Sequence, residues 1–357
     1  LAPPQLLTIF CLGMAQLSFL QTPAHAAVDT CVELAAAEGV VHQKPLVNAI
    51  LRRLTREPYV PLPAREAGRM ATPEWLWSEW MADYGVETAL DIAAAHLDEP
   101  PIDFTLRDRA QLDQWAEKLD AQALPTGGLR KEVGGFIPDL EGFGEGAWWI
   151  QNAAAAIPAK LFGDLHGKQV IDVCAAPGGK TAQLVSVGAQ VTALDRSAPR
   201  MQRLRENMER LGMTVEAVVA DAAAWQPSQP VDAVLLDAPC TATGTIRHQP
   251  DVLWLKTRAD QEKMAALQQK LLRHAAKMVK SGGVIIYCTC SLQKAEGERQ
   301  IDTFLTSPEG AEFTRLPIDD EVYAEMRTPT GDLRILPTHW QEHGGMDGFF
   351  ISRLIRG

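Results

Sequence analysis

Five short apolar segments in the second half of the chain limit its possible folds more than any other feature. They are KQVIDVCAA, AQVTALD, VEAVVAD, VDAVLLDAP and GGVIIYCTC, and amphipathic stretches separate them. Apolar strands that alternate with helices are typical of a parallel sheet with helices on both faces. The sequence therefore predicts a doubly wound, Rossmann-like α/β domain over residues 151–357.

The first half of the chain predicts two further regions. Apolar residues recur at helical spacing until a group of prolines interrupts them, which predicts a helical domain over residues 1–65. Thr72 offers a helix N-cap with Pro73 at the first helical position, and we expect one amphipathic helix from there to about residue 98. Alternating residues after Pro101 and a glycine-rich stretch predict strands and hairpins, so residues 66–150 are assigned to a small α+β region.

The opening of the chain resembles a secretory signal only superficially. An apolar stretch there ends in Ala-His-Ala, but the first basic residue is Lys44, so the basic n-region is missing and a buried helix is the better interpretation. Leu1 leads directly into a helical pattern, which predicts that further helices of this domain precede it. No apolar run approaches the roughly 20 residues that a membrane span needs, and we expect no membrane partner.

Cysteine usage and charge narrow the class of protein. Six cysteines without a C-x-x-C pair indicate neither a disulfide framework nor a zinc site, so we predict a cytoplasmic protein without a metal. The formal net charge of −11 argues against indiscriminate nucleic-acid binding. Residues 196–210 and 256–280 each carry a basic excess, which is either a local binding surface or a solvated helix face.

The segment DVCAAPGGKT, from Asp172 to Thr181, forms a glycine-containing turn between a strand and a helix. Small residues at this edge of an open α/β sheet let a nucleotide approach the backbone closely. A phosphate-binding P-loop would need glycine where Cys174 stands, and the dinucleotide pattern G-x-G-x-x-G is absent. The turn therefore favours a ligand other than a polyphosphate or a dinucleotide.

Four acidic residues lie at or near the ends of successive predicted strands: Asp172, Asp195, Asp221 and Asp237. Asp195 is spaced to accept hydrogen bonds from ribose hydroxyls, and Asp221 to contact the adenine end of the same ligand. Acids in this number disfavour a polyphosphate. A cationic sulfonium nucleoside fits them better.

Two cysteines, Cys240 and Cys290, follow the fourth and fifth strands. In the usual doubly wound order these strands are neighbours, so both thiols would reach the edge beside the cofactor. The structural alternatives are that the two cysteines are buried as small apolar residues or that they form a disulfide. A thiolate that adds to carbon 6 of cytosine would activate carbon 5 for methylation, with Asp237 placed to hydrogen-bond N3 and Cys240 to assist the last step.

At this point the chain resembles the bacterial Fmu/Sun family of small-subunit ribosomal RNA cytosine-5 methyltransferases, relatives of the NOL/NOP2/Sun proteins. The stretches that carry the resemblance are CAAPGGKT, ALDRS, DAPCTATGTIRHQPDVLWL, YCTCSL and RILPTHWQEHGGMDGFF. The stretches PAHAAVD and LVNAILRRL resemble the family's NusB-like RNA-binding domain, here expected to be truncated at its N-terminus. The resemblance assigns residues 66–150 to a small RNA-binding region.

The resemblance implies S-adenosylmethionine as the cofactor and Cys290 as the nucleophile, with Cys240 assisting release. Lys180 is assigned to orient the site, although its spacing equally allows a helix-start lysine in solvent. The implied cofactor-binding residues are Cys174, Ala175, Ala176, Pro177, Gly178, Gly179, Lys180, Asp195, Asp221 and Asp237. Two departures from the family pattern are Asn152, where Asp is usual, and Cys288, where Ala or Ser is usual. We expect neither departure to touch the chemistry.

The leading hypothesis is thus 5-methylcytosine formation in 16S ribosomal RNA, on a cytosine flipped out of its stack, by a monomeric enzyme. The same chemistry on transfer RNA is the second hypothesis. A non-catalytic ribosome-assembly or RNA-binding factor is a third, although such a factor would not need both thiols. An NAD-dependent dehydrogenase is disfavoured by the missing dinucleotide pattern.

Overall fold

A computed structural model of the chain describes residues 3–20, 22–57, 59–132 and 135–357. Contacts divide the chain into two compact units, Leu1–Pro63 and Ala64–Gly357. The boundary predicted at residue 150 falls inside the second unit, so the three-region division stays a prediction.

The described residues of the first unit form three α-helices: α1 (Pro4–Ser18), α2 (Ala24–Ala37) and α3 (Lys44–Arg56). Their apolar faces share one core that includes Leu6, Val28 and Leu51. A Cβ added to Gly13 would lie 2.5 Å from the Leu51 side chain, so glycine allows α1 and α3 to approach closely. The helical pattern read from the sequence is confirmed here.

The second unit opens with α4 (Ala64–Ala71), and α5 (Glu74–Tyr84) and α6 (Val86–Ala95) follow where one helix was predicted from Thr72 to about residue 98. That prediction is wrong because Gly85, with φ 82°, ends α5 and starts α6. Pro73, rather than Thr72, takes the N-cap position of α5. The Thr72 hydroxyl instead donates a 2.8 Å hydrogen bond to the Gly68 carbonyl in the preceding helix.

A small antiparallel sheet follows. Its elements are β1 (Ile102–Leu106), α7 (Leu112–Leu119), β2 (Gln122–Ala123), β3 (Leu129–Lys131) and β4 (Trp148–Ile150), with the strand order β2-β3-β1-β4. Asp103 on β1 and Arg130 on β3 face each other across it, with both side chains buried. This pair gives the small sheet a polar centre.

The larger sheet and its helices occupy the rest of the unit. Its elements are β5 (Gln169–Val173), α8 (Gly179–Ser186), β6 (Gln190–Asp195), α9 (Ala198–Arg210), β7 (Glu216–Val219), β8 (Val231–Asp237), α10 (Val252–Leu255), α11 (Arg258–Ala275), β9 (Val279–Thr289), α12 (Glu298–Leu305), β10 (Phe313–Arg315), β11 (Leu333–Ile335) and β12 (Phe349–Arg356).

The strand order of this sheet is β10-β12-β9-β8-β5-β6-β7, with β11 paired to β12. The strands β5 to β9 pair in parallel, which confirms the predicted doubly wound arrangement. The order reverses at β5, and such a switch point is where open α/β sheets bind ligands. The last strand, β12, runs antiparallel beside β9, an addition that the alternating pattern did not predict.

Alternate residues of the central strands bury against opposite faces of the sheet. Leu235 and Ile286 belong to one apolar core, while Val234 and Ile285 belong to the other. Covered faces on both sides explain why these strands are almost continuously apolar. Within the described ranges, no helix combines the length and hydropathy needed to cross a membrane.

Candidate active site

The turn after β5 forms one wall of the site. Cys174 and Gly178 have positive φ, 61° and 107°, and α8 begins at Gly179. A Cβ at Gly178 would meet Leu204 of α9 at 3.0 Å, in a backbone conformation that other residues rarely adopt. Glycine here lets the turn lie close against α9.

A cavity of about 360 Å³ opens beside this turn. Its walls come from the turn, from the segment after β4 and from the end of α9. The lining residues that the sequence predicted are Ala175, Ala176, Pro177, Gly178, Gly179, Lys180 and Asp237; Cys174, Asp195 and Asp221 are not among the lining residues. The structure thus brings most of the predicted cofactor-binding residues to one cavity.

Asp172 and Asp237 place two carboxylates at this cavity. Asp172 is fully buried and accepts a 2.6 Å hydrogen bond from the Thr181 hydroxyl, while its Oδ1 has no partner. Burial raises the pKa of Asp172 to about 7. Lys180 donates to Asp237 at 2.8 Å. Burial alone would lower the pKa of Lys180, but the Asp237 charge outweighs it and the pKa is raised.

Asp195 lies buried at the end of β6, outside the lining of the cavity. Its Oδ1 accepts from the Ser197 amide at 2.9 Å. Its Oδ2 has no hydrogen-bond partner, although Arg200 Nη1 lies 3.2 Å away without suitable geometry. Arg200 also donates to the Ala176 carbonyl, so it links the acid to the turn. Arg200 was not predicted as a site residue, because in the sequence it is one of several basic residues of the stretch that forms α9.

Asp221 lies two residues beyond the end of β7, where the sequence analysis placed it at the strand end. Its Oδ1 accepts a 2.9 Å hydrogen bond from the Ala223 amide, which shapes the loop after the strand. The side chain is exposed. Its role toward an adenine ring stays a prediction.

The acidic side chains in and beside this cavity fit a cationic nucleoside. Asp172 and Asp195 each keep one buried carboxylate oxygen without a hydrogen-bond partner. Unpaired buried carboxylate oxygens are costly, and hydroxyl or cationic groups of a ligand would satisfy them. Two cations line the cavity: Lys180 is neutralised by Asp237, and Arg210 donates to the backbone carbonyls of Phe143 and Trp148. Among the described residues, no cluster of three or more His, Cys, Asp or Glu could hold a metal ion.

The two predicted catalytic thiols meet at the ends of β8 and β9. Cys240 Sγ lies 3.5 Å from Cys290 Sγ, and both cysteines are free. The hydrogen bond with Cys290, burial and nearby negative charge raise the pKa of Cys240 well above its ordinary value. Strands β8 and β9 are therefore neighbours, as predicted, and Cys240 and Cys290 do not form the alternative disulfide.

Both departures from the family pattern lie at the site, and the expectation that neither touches the chemistry stays a prediction. The Cys288 thiol donates to Asp237 Oδ1 at 3.6 Å, and burial together with that carboxylate raises the pKa of the thiol. Asn152 lines the cavity and accepts from the Ala154 amide at 2.9 Å. Cys288 lies close to Asp237 because the two residues are direct partners on the paired strands β8 and β9.

The family model described as 16S rRNA methyltransferase RsmB/F matches residues 162–355. The chain belongs to the RsmB/F family. The NusB family model matches residues 2–56, which agrees with the three-helix first unit. The resemblance drawn from the motifs is thus confirmed, as is the predicted order of a helical NusB region followed by an α/β methyltransferase domain.

Relatives in this RsmB/F family cover most of the chain. A ribosomal RNA small subunit methyltransferase B from Xanthomonas campestris is 38% identical over 84% of this chain and 73% of its own length. The protein of the same description from Xylella fastidiosa is 35% identical over 99% of this chain and 81% of its own length.

Solved structures show the same fold. The crystal structure of PH0851 has a TM-score of 0.79 and 25% identity, over 99% of this chain and 83% of that chain. The structure of NSun6 from Pyrococcus horikoshii with SFG has a TM-score of 0.68 and 19% identity, over 80% of this chain and 98% of that chain. The second likeness is one of fold alone.

Proposed function

We propose that this RsmB/F member forms 5-methylcytosine in small-subunit ribosomal RNA, with S-adenosylmethionine as methyl donor and Cys290 as the covalent nucleophile. The observation that carries the proposal is the 3.5 Å approach of the Cys240 and Cys290 thiols at the sheet edge. Two free thiols at this distance, beside an acid that is itself held by a lysine, form a set suited to covalent activation of a base.

Residues of the turn and the two partly unpaired acids, Asp172 and Asp195, would hold the cofactor. S-adenosylmethionine supplies an electrophilic methyl group when it is bound. Its sulfonium charge suits a cavity lined by carboxylates and explains why the turn lacks the features of a phosphate site.

Cytosine carbon 5 needs activation because it is a weak nucleophile. The Cys290 sulfur bonds to carbon 6, the C5–C6 double bond opens, and N3 takes up the proton that Cys290 gives up. Asp237, held by Lys180, hydrogen-bonds this edge of the base. The resulting enamine makes carbon 5 nucleophilic. The target cytosine has to leave its stack to reach these groups.

Release of the product needs a base for the carbon-5 proton. Cys240 takes that proton as a thiolate, the C–H electron pair restores the C5–C6 double bond, and the bond from carbon 6 to Cys290 breaks. Hydrogen bonding to Cys290 and burial raise the pKa of Cys240, so the free protein holds it as the neutral thiol. It first loses its own proton to solvent, and its thiolate is then a strong acceptor for the carbon-5 proton. Cys290 leaves as the thiolate and regains a proton from solvent, and N3 returns its proton to solvent.

The test incubates purified protein with methyl-labelled S-adenosylmethionine and unmodified small-subunit ribosomal RNA or transfer RNA. We expect labelled 5-methylcytosine in ribosomal RNA, its loss with Cys290→Ala, and a trapped RNA adduct with Cys240→Ala. Cys11→Ala, which changes an exposed cysteine of the first unit, is the matched control and keeps full activity.

Other outcomes overturn parts of the proposal. An adduct trapped with Cys290→Ala would exchange the roles of the two thiols. Label in transfer RNA alone would show that transfer RNA, and not ribosomal RNA, is the substrate. Wild-type protein that binds the cofactor but labels no cytosine in either RNA would refute the assigned reaction.

A further inference from the structure

A buried carboxylate lies behind the two thiols and takes no part in the chemistry above. Glu296 ends the short turn after β9 and is fully buried. Its Oε2 accepts from the hydroxyls of Thr241 at 2.5 Å and Ser291 at 2.6 Å. Its Oε1 accepts from the Thr241 amide at 3.0 Å and from Gln268 Nε2 at 3.1 Å. Four donors thus converge on one carboxylate.

These hydrogen bonds involve the residues on both sides of Cys240. Thr241, which follows it, gives both its amide and its hydroxyl to Glu296. Pro239, which precedes it, offers its carbonyl to Gln268 Nε2 at 2.8 Å, and the same Gln268 amide reaches Glu296. The backbone on either side of Cys240 is therefore tied, directly or through one amide, to Glu296.

Cys290 is enclosed in the same way. Ser291, which follows it, donates its hydroxyl to the Glu296 carboxylate. Thr289, which precedes it, donates its hydroxyl to the Glu296 backbone carbonyl at 3.1 Å. Tyr287, further back on β9, donates to the same carbonyl at 2.9 Å. One residue thus binds the neighbours of both cysteines, which are fifty positions apart in sequence.

We propose that Glu296 is a positioning residue that holds the Cys240 and Cys290 thiols at reacting distance by fixing the backbone on both sides of each. Burial raises the pKa of Glu296, while the four donors oppose that rise by favouring the charged form. Hydrogen bonds to that charged form are shorter and stronger than neutral ones, which suits a hub that fixes two loops. The Glu296 charge also adds to the hydrogen bond with Cys290 and to burial in raising the pKa of Cys240. The proposal rests on the assigned roles of the two thiols.

The first test measures thiol geometry without RNA. Dibromobimane joins two close thiols, forming two C–S bonds and releasing two bromides and two protons, and the Cys240–Cys290 link is identified by peptide mass. We expect Glu296→Gln to lower the rate of this link by about tenfold, because misplacement of reacting groups by an ångström has effects of that order or larger. Glu262→Gln, at an exposed position of α11, is the matched control and keeps the wild-type rate.

A second variant guards against misfolding. Thr241→Val combined with Ser291→Ala removes both hydroxyl donors and keeps the charge, and it should slow the link in the same direction. Circular dichroism verifies the fold of each variant. The proposal would be overturned if the Glu296→Gln variant and the double variant are both folded and both form the Cys240–Cys290 link at the wild-type rate.

A third readout separates positioning from mere packing. In a Cys290→Ala background, Glu296→Gln should move the pH dependence of Cys240 alkylation by iodoacetamide to lower pH, because a charge that opposes the thiolate is lost. A side chain that only filled space would leave the midpoint unchanged. In otherwise intact protein, the methylation kcat should fall about tenfold while the KM for S-adenosylmethionine stays constant.

The two proposals fail separately. If wild-type protein methylates cytosine and the Glu296 variants link and turn over normally, only the positioning role falls. If wild-type protein methylates no RNA but the Glu296 variants still lose the thiol link, the assigned reaction falls and the positioning role of Glu296 stands.

Discussion

Lys180 and Asp237 form an ion pair across the ligand-binding edge of the large sheet, with Nζ 2.8 Å from Oδ2. The lysine comes from the first turn of α8 and the acid from the end of β8. The pair therefore joins the turn that lines the cavity to the strand that leads to Cys240. It is the direct contact between the proposed cofactor site and the proposed base site.

Loss of this pair should slow methyl transfer. Lys180→Met keeps much of the side-chain volume but leaves the Asp237 carboxylate without its cation. The carboxylate then loses its alignment with the cytosine ring. We expect the single-turnover rate at saturating cofactor to fall by about a hundredfold. Lys270→Met, at an exposed position of α11, should keep the wild-type rate. An unchanged rate with Lys180→Met would show that Asp237 needs no such partner.

Asp172 should make the second unit less stable as pH rises. Its pKa is raised to about 7 by burial, so the folded state holds a proton that the unfolded state releases above its ordinary pKa of 3.8. The contribution of Asp172 to the free energy of unfolding is fully present below its ordinary pKa and is lost as the pH rises toward 7. Asp172→Asn should therefore raise the free energy of unfolding at pH 8 by on the order of 2 kcal/mol, and hardly at pH 4.

Tryptophan fluorescence during urea unfolding measures this effect, because all nine tryptophans lie in the second unit. Asp319→Asn, at an exposed loop position, serves as the control and should show no such pH dependence. Equal gains from Asp172→Asn at both pH values would contradict the predicted titration.

The buried pair of Asp103 and Arg130 should behave as one unit. Arg130 Nε lies 2.6 Å from Asp103 Oδ1, and the same guanidinium donates to the carbonyls of His343 and Gly345. Arg130→Met leaves a buried carboxylate without its partner and should cost about 3 to 5 kcal/mol. Adding Asp103→Leu should recover part of that loss in a double-mutant cycle, and simple additivity of the two costs would argue against coupling.

Gly244 should tolerate no side chain. An added Cβ would lie 1.8 Å from the Gly348 carbonyl oxygen, and the Gly244 amide donates to the Cys290 carbonyl at 3.0 Å. Gly244→Ala should cost about 1 to 3 kcal/mol of stability and reduce methyl transfer by about tenfold through displacement of Cys290. Gly144→Ala, where an added Cβ meets nothing within 4 Å, should leave both measurements unchanged.

Strand-end positions were enough to predict that the candidate residues meet at one edge of the sheet. Cys240, Cys290 and Asp237 each follow or end an apolar strand, and parallel strands bring such residues to one edge. The glycine-containing turn was equally visible, since its conformation depends on local residue types. These features could be predicted because they follow from pattern and topology alone.

Other features depend on contacts that no local pattern reveals. Arg200 reaches both Asp195 and the turn, and Glu296 gathers donors from three separate segments. The break at Gly85 was hidden inside a continuous amphipathic pattern, because one glycine does not change the periodicity. The antiparallel strand β12 carries the same apolar signal as a parallel one, so its direction could not be read from the sequence.

The position of β12 also has a consequence for the order of events during synthesis. This strand pairs with β9 from Val284 to Thr289, directly before Cys290, although two further strands and a helix separate β9 from β12 in the sequence. While a ribosome is still translating that intervening stretch, β9 has a bare flank. The pairing of β9 at this edge of the sheet is therefore completed only after β12 has emerged.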